Sequence, residues 1–379
     1  MSPAAGPIDL DRAATTPVHR DVLAAMLPYF ERHAGNPASL HAAGRRARRA
    51  VEEARERVAA SLCVAPRQVV FTSGATEALH LAVHGTLALR PGAHVVAAMS
   101  EHAAVLEAVR SAERRGHPVT WLRPDADGRV HHDAVLESLR PETGLLALMR
   151  TNNETGVQHD LAPLRERLRA AGVTVVVDAV QALGYEPLSL EACGADLVAL
   201  SSHKVEGPKG CGALVMAEGV TLEPQQRGGG QERGLRGGTV DVPAVVGFGA
   251  AVERTQHPAE RGARVRALRE RFETALLRSR GVRVNGAGAP RGPKQANLRF
   301  DGVEAETLLI NLDTVGVWAS AGSACAAGSL EPSHVLLSMG LSEGAAASSV
   351  RFSFGDHLDD EQVDEAVRRV ATALELSRG

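Results

Sequence analysis

The sequence predicts an α/β protein, with a large domain built on a mainly parallel sheet and a smaller α+β domain. Three observations predict it. Short apolar runs between residues 69 and 216 each end in a polar turn, and several lead into a helix-like stretch. That strand-then-helix rhythm belongs to parallel sheets with helical crossovers. From about Pro243 the rhythm gives way to long helix-like stretches with a few short strands. A chain of 379 residues with 44% hydrophobic content is also long enough for two cores.

The elements follow in order. Val69–Phe71 precedes Thr72-Ser73-Gly74 and a helix starting near Ala75. His94–Ala97 precedes a helix starting near Glu101, and Leu145–Met149 leads into a polar turn. Val173–Val177 ends at Asp178, Leu197–Leu200 ends at Ser201, and Gly212–Met216 follows a Gly/Pro turn. Beyond Pro243 a helical stretch reaches roughly Arg280, with a break at His257-Pro258. Val282–Val284, Asn297–Phe300 and Val350–Phe354 read as strands, and Glu304–Leu312 and Asp359–Leu376 as helices. Ser320–Ser329 is rich in Gly, Ala and Ser and reads as a mobile loop.

Composition narrows the function. A net charge of −3 gives no basic surface for nucleic acid or an acidic membrane, and 3% aromatics leaves little for base stacking. No run of about 18 or more apolar residues and no leader-like start are visible, so a cytoplasmic protein is expected. The cysteines Cys63, Cys193, Cys211 and Cys325 form no CxxC pair and suit a reducing compartment. Cys63, Cys193 and Cys211 read as inert core thiols, whereas the small residues around Cys325 offer nothing to bury it. A thiolate carried on such a loop can reach a substrate and leave it again.

The candidate chemistry lies at strand ends, where ligands of open α/β sheets bind. Lys204, in Ser-Ser-His-Lys just past an apolar run, suits a lysine that forms a Schiff base. Pyridoxal 5'-phosphate (PLP) needs such a lysine, an acid on its pyridine nitrogen and a phosphate cradle. Asp178 is either a turn acid or that pyridinium partner, and Gln181 can donate to the phenolic oxygen. Ser73–Glu77 joins a strand to a helix, and free N–H groups at a helix start bind phosphate. Ser201 and His203 add donors to the same phosphate. His102 reads as structural or as a ring stacked on PLP that shuttles protons. Asn153 sits in a plain turn or reaches the cofactor oxygen or the bound amino acid. Arg351 is a surface cation or a clamp for a substrate carboxylate.

Ten segments, in order along residues 8–356, together resemble the cysteine desulfurases of the NifS/IscS type, within the class V aminotransferase fold group. They include Asp11–Pro17, Gly35–His41, Thr72–Ala78, Glu101-His102, Asn152–Gly156, Val177–Gln181, Ser201–Gly212, Gly228–Gly234, Gly322–Cys325 and Arg351–Ser353. The resemblance implies PLP fold type I, similar to aspartate aminotransferase. Residues 18–245 are assigned to the large domain, and 1–17 with 246–379 to the small one. It implies catalytic roles for Cys325, Lys204 and His102. Ala75, Thr76, His102, Asn153, Asp178, Gln181, Ser201, His203, Lys204 and Thr239 would contact PLP, with Thr239 reaching the other subunit of a homodimer. Asn153 and Arg351 would bind L-cysteine. Sulfur would pass to Cys325 as a persulfide, alanine would leave, and an acceptor protein, either an iron–sulfur scaffold or a thiolation relay, would take the sulfur.

The Ser/Ala/Gly segment at Cys325 resembles the long-loop group, which serves varied partners. The sequence departs from the family at Arg12, where Asn or His is usual, and at Leu79-His80, in place of an Asn-rich pair. It ends at Gly379 without the C-terminal extension that docks a scaffold, so the resemblance does not extend to that docking. Aminotransfer and selenocysteine lysis share the fold. An aminotransferase has no need of Cys325, whereas selenocysteine stays open as an additional substrate. A silent binding subunit is at odds with Lys204, Asp178, His102 and Cys325 occurring together.

Overall fold

A computed structural model describes residues 6–322 and 331–378. Cys325 and most of the small-residue loop fall outside the described residues. The described strands are β1 (Ile8–Asp9), β2 (Val69–Thr72), β3 (His94–Ala98), β4 (Val119–Leu122), β5 (Thr143–Ala147), β6 (Thr174–Asp178), β7 (Leu197–Ser201), β8 (Gly212–Met216), β9 (Val282–Val284), β10 (Gln295–Phe300), β11 (Val317–Trp318) and β12 (Ser349–Ser353).

Seven strands form one sheet in the order β2-β8-β7-β6-β5-β3-β4. β8 runs antiparallel to both neighbours and the remaining pairs are parallel. Strands β3, β5, β6, β7 and β8 are buried along their whole length, as expected of a sheet covered on both faces. Their side chains alternate between two apolar layers. Val96, Leu146, Val175, Val177, Val198 and Leu200 face the helices Ala42–Ala60 and Val242–Glu253. Val95, Ala97, Leu145, Val176, Leu197 and Ala199 face the helices Ala75–Ala88 and Ala103–Arg114. The strand order turns back between β3 and β5, so loops on either side of that seam diverge and leave a crevice at the carboxyl ends.

A separate apolar core gathers a three-stranded antiparallel sheet, β12-β10-β9, with the helices Pro258–Leu276, Ala305–Thr314 and Asp360–Arg378. Phe272 sits at its centre, with ring centroids 5.0 Å from Phe352 and 5.2 Å from Phe354. The start of the chain returns here: β1 pairs in parallel with β11, and Ile8 and Leu10 enter this core. The helix break expected at His257-Pro258 is present, with Pro258 opening the second helix. The helix Val242–Glu253 runs through the position-245 boundary and packs into the first core. Among the described residues, no helix is long and apolar enough to cross a membrane.

Candidate active site

A cavity of about 830 Å³ opens at the carboxyl ends of the large sheet. Its lining includes Ala75, Thr76, His102, Asn153, Asp178, Gln181, Ser201, His203, Lys204 and Arg351. Sequence reasoning placed all ten at a cofactor or substrate site, and the fold brings them to one wall system. Thr239 is exposed and is not part of that lining.

Lys204 closes a 3-10 turn after β7, and its side chain lines the cavity. Its Nζ donates to the carbonyls of Ala13 (2.7 Å) and Ala14 (2.6 Å). Burial and the nearby Arg351 guanidinium bring the ammonium down to about 8, with Asp178 and Asp11 pulling the other way. An amine with that pKa is available as a nucleophile near neutral pH.

Asp178 ends β6, and its Oδ1 accepts from the Val180 N–H at 2.9 Å. Burial pushes its carboxyl up, against the pull of His102 and Lys204. A cationic group within the cavity would offset that desolvation. His102 caps the helix Ala103–Arg114, with Nδ1 accepting from the Ala104 N–H at 3.1 Å. Its ring is exposed to the cavity yet enclosed by the walls. That enclosure lowers its pKa, with Asp178 opposing and Lys204, His334 and Arg351 assisting.

The turn between β2 and the helix Ala75–Ala88 supplies helix-start N–H groups. Gly74 takes φ 156° and ψ 176°, a backbone conformation that residues with a Cβ rarely adopt. Gly212 of β8 lies so close that a Cβ there would stand 2.7 Å from the Gly74 backbone. His203 Nδ1 lies 3.0 Å from Thr15 Oγ1, and burial with the nearby lysines lowers the imidazole to about 4.

Arg351 donates to Asp11 Oδ1 (2.9 Å) and to the Asn153 carbonyl (3.1 Å), while its Nε has no partner. Asn153 Oδ1 is likewise buried and unpartnered. The Gln181 amide donates to the Ala13 carbonyl (3.1 Å) and accepts from Gln295 (2.9 Å). Only one of its two N–H bonds is thereby used.

Several contributors were missed from sequence. The carbonyls of Ala13 and Ala14 hold Lys204, but backbone acceptors carry no residue signature. Glu77, His334 and Glu154 also line the cavity. Glu77 and Glu154 fell inside recognised segments, and His334 lay just past the Cys325 loop; that proximity was the available signal. Of the family departures, Arg12 pairs with Asp9 at 3.0 Å and does not line the cavity, whereas Leu79 does.

Cys63 corrects the expectation of an inert core thiol. It is exposed, at φ 55°, in the turn that follows the helix Ala42–Ala60. The chain reverses there, and the left-handed backbone turns Cys63 outward between buried Leu62 and half-buried Val64. Cys193 and Cys211 are buried as expected, and burial raises their thiols, Cys193 to about 11.

Comparison with known proteins matches the Aminotransferase class-V family to residues 8–366. The cysteine desulfurase IscS of Anaeromyxobacter sp. (strain K) is 46% identical over 370 residues, covering 96% of this chain and 91% of that protein. A solved structure of a NifS-like protein superposes with a TM-score of 0.90 at 30% identity, covering 98% of this chain and 100% of the other. SspA, solved in complex with cysteine, gives 0.82 at 32% identity over 91% of this chain and 98% of its own. The chain belongs to the class-V aminotransferase family, in its cysteine desulfurase branch.

Proposed function

We propose that the cavity holds PLP and that the protein removes sulfur from L-cysteine, leaving L-alanine and a persulfide on Cys325. The observation that carries this reading is the convergence of Lys204, Asp178 and His102 in one cavity with a helix-start phosphate turn. The residues fit the cofactor. Asp178 is buried and lacks a bonded cation, Gln181 has an N–H to spare, and the Ser73–Glu77 turn presents donors beside Ser201 and His203. When bound, PLP would supply an electron sink for the substrate carbon.

The chain's own residues do the rest. Lys204 would anchor the cofactor and, once displaced by the substrate amine, take the α-proton and return it; an amine titrating near 8 suits both tasks. Arg351, with Nε unpartnered, and Asn153, with Oδ1 unpartnered, would hold the amino acid at its carboxylate end. His102 would cover the ring and pass protons. The Cys325 thiolate would take the substrate sulfur as an S–S bond, the electrons of the broken C–S bond staying with carbon, which leaves protonated as alanine.

Thr239, exposed in the single chain, would serve the second subunit of a homodimer. An acceptor protein, an iron–sulfur scaffold or a thiolation relay, would receive the sulfur, and the cytoplasm is the proposed compartment. The two apolar cores support a domain division close to residue 254, after the helix Val242–Glu253, rather than at 245.

Sulfide and alanine release from L-cysteine, with reductant, tests the reading. Wild type is expected to give both in equal amounts and Cys325→Ser neither. A Cys325→Ser variant that matched wild type would end the persulfide mechanism.

A further inference from the structure

Glu77 is placed against expectation for a phosphate site. It lies in the first turn of the helix Ala75–Ala88 and lines the cavity beside Gly74, Ala75 and Thr76. Its Oε2 accepts from the Ser73 N–H at 2.6 Å, so one donor of the turn is already taken. Burial opposes ionisation, but the bonds from Arg236 and Ser73 hold the carboxyl below its usual range. An ionised carboxylate beside a phosphate dianion costs binding energy unless it is neutralised. Neutralisation comes from far along the chain. Arg236, in the glycine-rich segment 228–238, donates Nε to Glu77 Oε1 at 2.9 Å, and its Nη2 lies 3.5 Å from Oε2. Both side chains are about three-quarters buried, at 23% and 24% exposure, so screening by salt is reduced. The segment carrying Arg236 is itself fixed. Glu232 forms a buried two-pronged pair with Arg55, both bonds at 2.8 Å, and accepts from the Phe71 N–H of β2 at 2.8 Å.

We propose that Arg236 is a positioning residue for the cofactor phosphate, acting through Glu77: it cancels the carboxylate charge inside the phosphate turn while Glu77 keeps the turn's remaining N–H groups directed into the cavity. This rests on the reading that the PLP phosphate sits at Ser73–Glu77. The pair makes a specific demand. Loss of Arg236 must penalise a phosphorylated ligand, and only while Glu77 is charged.

The test is equilibrium binding of PLP and of pyridoxal, which lacks the phosphate, to apoprotein prepared from the holoenzyme, followed by fluorescence and absorbance. Arg236→Met is expected to weaken PLP about tenfold, a change of about 1.4 kcal/mol, and to leave pyridoxal unchanged. Arg236→Lys should recover most of the loss, because it restores the charge. Glu77→Gln should bind PLP as tightly as wild type or more tightly, and adding Arg236→Met to it should cost little. Equal weakening of PLP and pyridoxal would reduce Arg236 to a structural brace and overturn the proposal. So would an unchanged PLP affinity in Arg236→Met, or an undiminished Arg236 effect in the Glu77→Gln background. If Arg236→Met does not fold, Arg236→Lys and Glu77→Gln decide: a large PLP loss in Glu77→Gln overturns it. Wild-type apoprotein that bound no PLP would instead overturn the functional reading, and this inference with it.

Discussion

The protein holds two lysines in two different settings, Lys204 half-buried and Lys294 buried, and only one setting is chemically useful. Lys204 stands at the cavity wall, held by two carbonyls and with Asp178 and Asp11 near enough to favour its charge. Lys294 sits in the smaller half at 1% exposure, just before β10. Its Nζ makes no hydrogen bond and lies 4.6 Å from the centroid of the Tyr185 ring. The guanidinium of Arg261 lies 4.4 Å from the same centroid. Burial, with Lys204, Arg261 and Arg351 adding their charges and Asp356 opposing, carries Lys294 well below the ordinary lysine range. A neutral amine gains little from an aromatic face, since that attraction needs the cation. Depressed basicity is therefore shared by both lysines and does not mark the active one. Access to a cavity, and carbonyl acceptors for the Nζ, are what separate them.

The largest effect that tests this contrast is loss of the amine itself. Lys204→Ala should reduce sulfide release by about 10³- to 10⁴-fold and remove the near-visible absorbance of lysine-bound cofactor. Lys294→Met should leave both within about twofold, an effect no larger than neutral substitutions away from a site produce. Comparable losses in the two variants would erase the distinction.

The next effect is pH dependence. Lys204 must be neutral to take a proton, so its pKa of about 8 makes proton removal from the substrate carbon fall as pH drops below that value. The slope should approach tenfold per pH unit in single-turnover loss of an α-deuteron, and Lys294→Met should keep the same profile. A profile flat from pH 6 to 9 would show that Lys204 is not the base.

The smallest effect is on stability. Lys294 titrates in the unfolded chain near its reference value of about 10.4, and the folded core holds its proton more weakly. The unfolded state holds more protons below that value, so the lysine destabilises the fold at neutral pH, and the penalty fades as pH rises towards about 10.4. Lys294→Met should therefore raise the melting temperature by a few degrees at pH 7, for about 1–3 kcal/mol of desolvation relieved, and by less at pH 10. A lower melting temperature for Lys294→Met at pH 7 would mean that the amine is satisfied in the fold.

Much of the site was legible because its residues sit at strand ends. Asp178 and Lys204 each follow a run of apolar residues that can only be a buried strand, and a polar residue there faces the crevice. His102 was readable for a similar reason, as the residue that opens a helix after β3. Local sequence does not report where a distant backbone returns. The Ala13 and Ala14 carbonyls reach Lys204 across 191 and 190 positions of sequence separation, and Arg236 reaches Glu77 across 159. Cys63 was misjudged because its neighbours are apolar, whereas a single left-handed residue decides which way a side chain faces.

The sequence by itself determined the strand-and-helix rhythm, the fold class and the ten side chains that meet in the cavity. The rhythm and the fold class follow from periodicity and turn chemistry, which act over a few residues, and the site residues from turn chemistry together with the family resemblance. Tertiary structure alone decided the strand order that opens the crevice between β3 and β5, and the return of β1 to β11. It also decided which of two lysines meets a cavity and how the carboxylate in the phosphate turn is neutralised. Those outcomes depend on contacts between segments from about fifty to about three hundred residues apart, and the fields of charges brought together there have no counterpart in local sequence.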